Sequence, residues 1–127
     1  MATDAKEDKI GKTIVDAAFQ VHQQLGPGLL EKVYESCLAY ELKTKGLIVT
    51  RQVPVPISYK NIEFDEGFRL DLLVEDCVII ELKAVEKSNP LWQAQILSYL
   101  RLANKHLGYL INFNTPLFKQ GIQRFVI

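Results

Sequence analysis

Between Arg69 and Lys83 the chain reads RLDLLVEDCVIIELK, and Asp71, Glu81 and Lys83 within it form a D-x9-E-x-K pattern. Two neighbouring carboxylates suit a hard divalent cation: Mg²⁺ binds through one or two carboxylates plus water and phosphate oxygens. A lysine beside them can orient a nucleophilic water or stabilise the charge that grows on a phosphate during displacement. The metal in turn lowers the pKa of bound water and neutralises the scissile phosphate. Together these groups describe metal-assisted phosphodiester hydrolysis. The spacing alone is weak, since Glu41-Leu42-Lys43 is a second ExK that ends a helical pattern and reads as solvated surface.

Context separates the two. Along a strand, residues i and i+2 share a face, so Glu81 and Lys83 point the same way. A hairpin turn centred on Asp76 sets Asp71 opposite Glu81, Leu73 opposite Ile79 and Arg69 opposite Lys83. One face then carries Arg69, Asp71, Glu81 and Lys83, and the other carries Leu70, Leu72, Val74, Val78, Ile80 and Leu82. A two-residue turn at Glu75-Asp76 would put Asp71 beside Ile80 and spoil both faces, and a one-residue slip flips every side chain, so the first register is expected. Directly opposed carboxylates repel, a cost that a cation would remove. The alternative is an exposed strand face with a cross-strand salt bridge.

The elements that must position these residues follow from periodicity. Ile10, Ile14, Ala17, Ala18, Val21 and Leu25 repeat at helical spacing over residues 8–25, and Gly26-Pro27-Gly28 breaks that helix. A second helix over about 29–45 turns Leu30, Val33, Tyr34, Cys37, Leu38 and Leu42 inward and stops at Gly46. Residues 47–59 are rich in Val and Ile, with Pro54 and Pro56 marking an edge or bulged strand. Residues 64–74 and 77–85 are further strands. Asn89-Pro90 caps a third helix that runs to about His106 and ends at Gly108. Residues 109–113 and 122–127 complete the strands. The order ααβββαβ(β) is an α/β arrangement, a mixed sheet with helices packed on it.

Length and composition agree with one domain over residues 1–127, with residues 1–8 a flexible tail. The chain has 127 residues, 48% hydrophobic and 24% charged, which excludes wholesale disorder. No apolar run approaches a membrane span, and the N-terminus is too polar for a signal peptide. Cys37 and Cys77 lack a CxxC partner and fit reduced thiols in a cytoplasmic protein. Net charge is zero but segregated: residues 61–83 carry seven acids and two bases, whereas residues 84–127 carry one acid, Glu86, and five bases. An acidic segment followed by a basic one fits a cation site beside an anion-binding surface, with Lys87, Arg101 and Lys105 as the nucleic-acid contacts.

Other residues weigh less. Glu31 and Glu35, at i and i+4, repel mildly unless something cationic faces them. Gln95 and Tyr99 share a face of the third helix. His22 and His106 have no second ligand at metal spacing and read as capping or surface residues. Trp92 reads as core packing, with base stacking a distant second, and Cys37 as a small core residue.

These residues resemble the PD-(D/E)XK nuclease superfamily, and within it the small GxxExxY family, whose naming motif reads here Gly28-Leu-Leu-Glu31-Lys-Val-Tyr34. Asp71 and Glu81-Leu-Lys83 fall at the acidic and ExK motifs, and Gln95-Ile-Leu-Ser-Tyr99 is similar to the QxxxY motif of the RecB-like and Cas4-like branch. The resemblance spans residues 10–113. Its one departure is Leu70 in place of the proline of the PD pair, a residue with no chemical role. The resemblance implies a restriction-endonuclease-like core and a Mg²⁺- or Mn²⁺-dependent nuclease acting on DNA. It makes Asp71, Glu81 and Glu31 the metal ligands, Lys83 the catalytic lysine, and Gln95 and Tyr99 supporting residues. A fold does not fix function, so a non-catalytic nucleic-acid- or partner-binding module on the same fold, and an RNA or nucleotide phosphodiesterase, stand as alternatives. An open strand edge at 47–59 or 122–127 would admit a homodimer.

Overall fold

Asp4 opens the first helix. Its side chain accepts the N–H of Glu7 while the Glu7 carboxylate accepts the N–H of Asp4, a reciprocal box that satisfies two donors no helix can satisfy internally. Helix α1 therefore spans Ala5–Leu25, so residues 5–8 of the expected tail are helical. The computed structural model describes residues 3–127; Met1 and Ala2 lie outside the described residues.

Gly26 and Gly28 take positive φ (70° and 99°), a conformation cheap for glycine alone, and turn the chain into α2 (Glu31–Thr44). Gly46, at φ 85°, ends α2 as expected. There follow β1 (Val49–Tyr59), β2 (Ile62–Val74), β3 (Val78–Lys83), α3 (Pro90–Leu102), β4 (Leu107–Asn112), a 3₁₀ turn (Phe118–Gln120) and β5 (Ile122–Val126). The five strands lie in sequence order, with only the β3–β4 pair parallel, so α3 is the crossover that parallel neighbours require. As its prolines indicate, β1 is an edge strand, and its pairing shifts by a bulge between Val55 and Ile57.

Helices cover both faces. On one, Ile14, Ala17 and Val21 of α1 and Tyr34, Leu38 and Leu42 of α2 pack on Leu72, Val74, Val78, Ile80 and Leu82. On the other, Leu100 of α3 packs with Val55, Leu70, Leu73 and Ile79. Burial of each such Leu, Ile or Val contributes about 1.5–3 kcal/mol. The strand face carrying the acids is thus buried under α3 rather than exposed, and β3 is buried along nearly its whole length. Leu70 also departs from expectation and joins the α3 side. Pairing of β2 with β3 stops at Leu72–Ile80, and beyond it β2 continues against β1 alone.

Helix α3 ends at Leu102, short of His106, where Asn104 adopts φ 57°. Gly108 belongs to β4, not to a helix end. A Cβ there would stand 3.2 Å from Ile96 and 3.3 Å from Leu100, so glycine lets α3 lie close on the sheet. His22 is neither a cap nor a surface residue: it is buried, and its Nε2 lies 2.8 Å from the carbonyl oxygen of Thr115, tying α1 to the loop after β4.

Candidate active site

The observed register pairs Leu72 with Ile80, Leu73 with Ile79 and Val74 with Val78, which places Asp71 opposite Glu81 as the two-face pattern requires. Glu75 and Asp76 both take left-handed φ (53° and 55°) at the turn. Where the ladder stops, side chains replace backbone partners. Asp71 Oδ2 accepts the Leu82 N–H at 2.8 Å, and Glu81 Oε1 accepts the Asp71 N–H at 3.2 Å.

This setting raises the proton affinity of both carboxyls. Burial, then the Asp71 charge, pushes Glu81 up to about 8. Burial also holds Asp71 above the usual carboxylate range, partly offset by the Leu82 N–H. Both carboxyls therefore hold a proton more tightly than an isolated carboxylate does, as expected for two adjacent buried acids.

Glu31 opens α2 with its carboxyl partly desolvated, which raises its proton affinity, as Asp71 does, while Lys83 lowers it. It is therefore within the electrostatic reach of both. The motif around it has a mechanical explanation. The hydroxyl of buried Tyr34 donates to the Gly26 carbonyl at 2.5 Å and accepts the Leu29 N–H at 3.1 Å. The Tyr34 ring stacks on Phe113 with centroids 4.6 Å apart. These contacts fix the loop that delivers Glu31.

Lys83 lies on the α3 side with its Nζ 5.4 Å from the centre of the Trp92 ring. Trp92 is half-exposed beside this lysine rather than buried in the core. Tyr99 stacks on Phe68, centroids 4.2 Å apart, and its hydroxyl is pushed up by burial and then by Glu81 and Asp71. Gln95 is half-buried one turn earlier on α3.

Sequence reasoning gave Glu35 no role at the site and passed over Gln52. Glu35 is buried, bonded to Arg51 at 3.0 Å and to Gln52 Nε2 at 2.7 Å. Arg51 is the cation that the Glu31–Glu35 pair needed. Gln52 Nε2 also lies 3.5 Å from Asp71 Oδ1. Gln52 holds φ 52° inside a strand, a strained state for a non-glycine residue that persists only where its surroundings enforce it. One signal was available: Glu35 falls on the same helical arc as Leu38, Ala39 and Leu42, which are all buried.

The basic residues do not converge on the carboxylates. Lys105 pairs at 3.5 Å with Asp76 at the hairpin turn, at the opposite end of β3 from Lys83. Arg101, in the last turn of α3, bonds Ser98. Only Lys87 follows directly from the β3 end. Among the described residues no group of three or more His, Cys, Asp or Glu side chains is gathered at metal-binding geometry. The donor set that fits a hard cation is the Asp71–Glu81 pair, whose mutual repulsion a cation would relieve.

Neither the curated proteins nor the solved structures yield a match to this chain. A family model described as PD-(D/E)XK nuclease superfamily matches residues 8–125, and the five-stranded mixed sheet with three helices agrees with the restriction-endonuclease-like fold of that group. With its acids opposed across β2 and β3 and Lys83 at the end of β3, the chain belongs to the PD-(D/E)XK nuclease superfamily.

Proposed function

We propose that this chain, as one catalytic unit over residues 1–127, hydrolyses DNA phosphodiester bonds with Mg²⁺ or Mn²⁺ in the cytoplasm. Its GxxExxY and QxxxY segments favour the GxxExxY family on the RecB-like and Cas4-like branch. The observation that carries the reading is Asp71 set opposite Glu81, with Lys83 two residues on along the same strand face. A bound divalent cation supplies an activated water and neutralises phosphate charge; Asp71 and Glu81, with Glu31 nearby, would hold it.

The chain's own groups do the rest. Lys83 donates to a phosphate oxygen as negative charge develops, in a site whose burial strengthens the contact. Tyr99 and Gln95 orient water and phosphate from α3. Glu35, through Gln52, keeps Asp71 in place. Lys87, Arg101 and Lys105 contact the strand backbone at increasing distance from the carboxylates. Among the described residues no helix is long and apolar enough to cross a membrane. The exposed β1 edge could pair with a second copy.

The test is cleavage of single-stranded, duplex and branched DNA and of RNA by purified chain with Mn²⁺, against Asp71→Asn and Lys83→Ala. Metal-dependent cleavage that both substitutions abolish supports the reading. Wild type that cleaves nothing and shows no calorimetric Mg²⁺ or Mn²⁺ binding, with or without DNA, points instead to a non-catalytic binding module, and cleavage of RNA alone to a ribonuclease.

A further inference from the structure

Beside Glu81 and Lys83, on the same sheet face, the neighbouring strand β4 presents their pairing partners Leu110 and Asn112. These two form the floor of a cleft of about 350 Å³, walled by Trp92 and Gln93 from α3 and by Gln120 and Gln123 from the chain end. Pockets for small organic groups run from about 300 Å³ upward. The lining is distinctive: one indole, five carboxamides and a single charged side chain, Glu86.

The carboxamides are not equivalent. Asn112 is taken up by the backbone, accepting from Val85 and Asn114 and donating to Val85. The side-chain oxygens of Asn89 and Gln120 accept from Leu91 and Leu117. Gln93 Nε2 donates to Gln123 Oε1 at 3.1 Å, which leaves Gln93 Oε1 and Gln123 Nε2 as an adjacent acceptor and donor without partners among the described residues. An acceptor–donor pair beside a half-exposed indole is a recognition set for a neutral, flat, hydrogen-bonding ring. Glu86 disfavours a phosphate there, and the Lys83 ammonium, 5.4 Å from the indole centre, joins the cleft to the candidate active site.

We infer that this cleft receives one unstacked nucleobase of the strand being cut, stacked on Trp92 and read on its hydrogen-bonding edge by Gln93 and Gln123. The inference rests on the nuclease reading: a phosphate held by Lys83 and a base on Trp92 are neighbours on one strand. A base paired within a duplex cannot offer both its face and its edge here, so the cleft selects unpaired nucleotides.

Trp92 is the sole tryptophan, so its emission reports on the cleft directly. The full chain is titrated in EDTA with short labelled single-stranded oligonucleotides, following strand anisotropy and Trp92 emission together. The same strands are then cut in Mn²⁺. Trp92 emission falls as the strand saturates, and an abasic site moved along the strand removes that fall at one position only. Affinity at that position drops roughly 5- to 150-fold, the contribution of one aromatic–base stack. Gln123→Ala changes the base preference at that position among the cut products. Cleavage in Mn²⁺ with unmoved Trp92 emission and no position sensitive to base removal overturns the inference and leaves the nuclease reading standing. Absence of cleavage with a position-specific loss of quenching overturns the nuclease reading and keeps the base pocket. Absence of both overturns both.

Discussion

Asp71 and Glu81 are crossed: the carboxylate of Asp71 accepts the backbone N–H of Leu82, which follows Glu81, and the carboxylate of Glu81 accepts the backbone N–H of Asp71. Each acid thus completes the hydrogen bonding of the strand opposite, at the point where regular pairing ends. The arrangement holds two carboxyls face to face, and burial together with their mutual repulsion raises the proton affinity of Glu81.

Stability without metal is therefore pH-dependent. Glu81 is raised from 4.5 to about 8, so between those values the folded chain binds more protons than the unfolded one, and stability falls as pH rises. The melting temperature in EDTA drops from pH 5 to pH 8, by about 4 °C for each 1 kcal/mol lost. Mg²⁺ restores it at the alkaline end, and Glu81→Gln flattens the profile. Differential scanning calorimetry across that range checks all three.

Asp71→Asn retains an oxygen for the Leu82 N–H, and Lys83→Ala removes only a side chain at a strand end. Both variants keep the wild-type circular dichroism spectrum while Mn²⁺-dependent cleavage falls by about 10²-fold or more.

Gln52 separates positioning from folding. Gln52→Gly relieves a left-handed φ of 52°, a change that stabilises by up to about 1 kcal/mol, and deletes the amide between Glu35 and Asp71. The relieved strain offsets the partner lost by the buried Glu35 carboxylate, so the variant melts close to wild type yet cleaves more slowly. Glu35→Ala leaves Arg51 and Gln52 without their carboxylate and costs about 1–2 kcal/mol as well as activity. Urea titration beside a cleavage assay distinguishes the two patterns.

Tyr34→Phe keeps the stack on Phe113 and loses both hydroxyl bonds to the loop before α2. A destabilisation of about 1–2 kcal/mol follows, measurable by urea unfolding, with faster hydrogen exchange at the Leu29 amide.

Lys87→Ala weakens strand binding more than Lys105→Ala, because the Lys105 ammonium is engaged with Asp76 at the far end of β3. Anisotropy titrations at two salt concentrations give the comparison, since the slope against salt follows the number of phosphates the protein neutralises.

The β2–β3 hairpin was readable from the amino acids because period-two patterning admits a single register with clean faces, and Asp71 stands opposite Glu81 accordingly. Helix α3 stops at Leu102 because Asn104 takes the left-handed conformation that ends a helix, while Gly108 serves close packing against Ile96 and Leu100, a tertiary demand that local turn signals do not encode. Helix α1 opens at Ala5, inside the stretch whose polar composition reads as a tail, because Asp4 and Glu7 form a capping box. The link between Glu35 and Gln52 escaped notice for a different reason. Their contact depends on a left-handed residue inside an edge strand, and no periodicity announces it. The charge asymmetry was real in sequence but softened in space, since Lys105 and Arg124 pair with Asp76 and Asp8.

The stacked rings of Tyr34 and Phe113 have a kinetic meaning. They come from distant parts of the chain, one on α2 and the other just past β4. The hairpin bearing Asp71 and Glu81 is local and closes early, whereas this stack waits for the long crossover through α3 to bring β4 beside β3. The Tyr34 bonds to Gly26 and Leu29 are local and can form early, so it is the anchoring of the α2 entrance to the sheet that comes late. Refolding followed at the hairpin is expected to run ahead of formation of the Tyr34–Phe113 stack, which closes the α2 entrance onto the sheet.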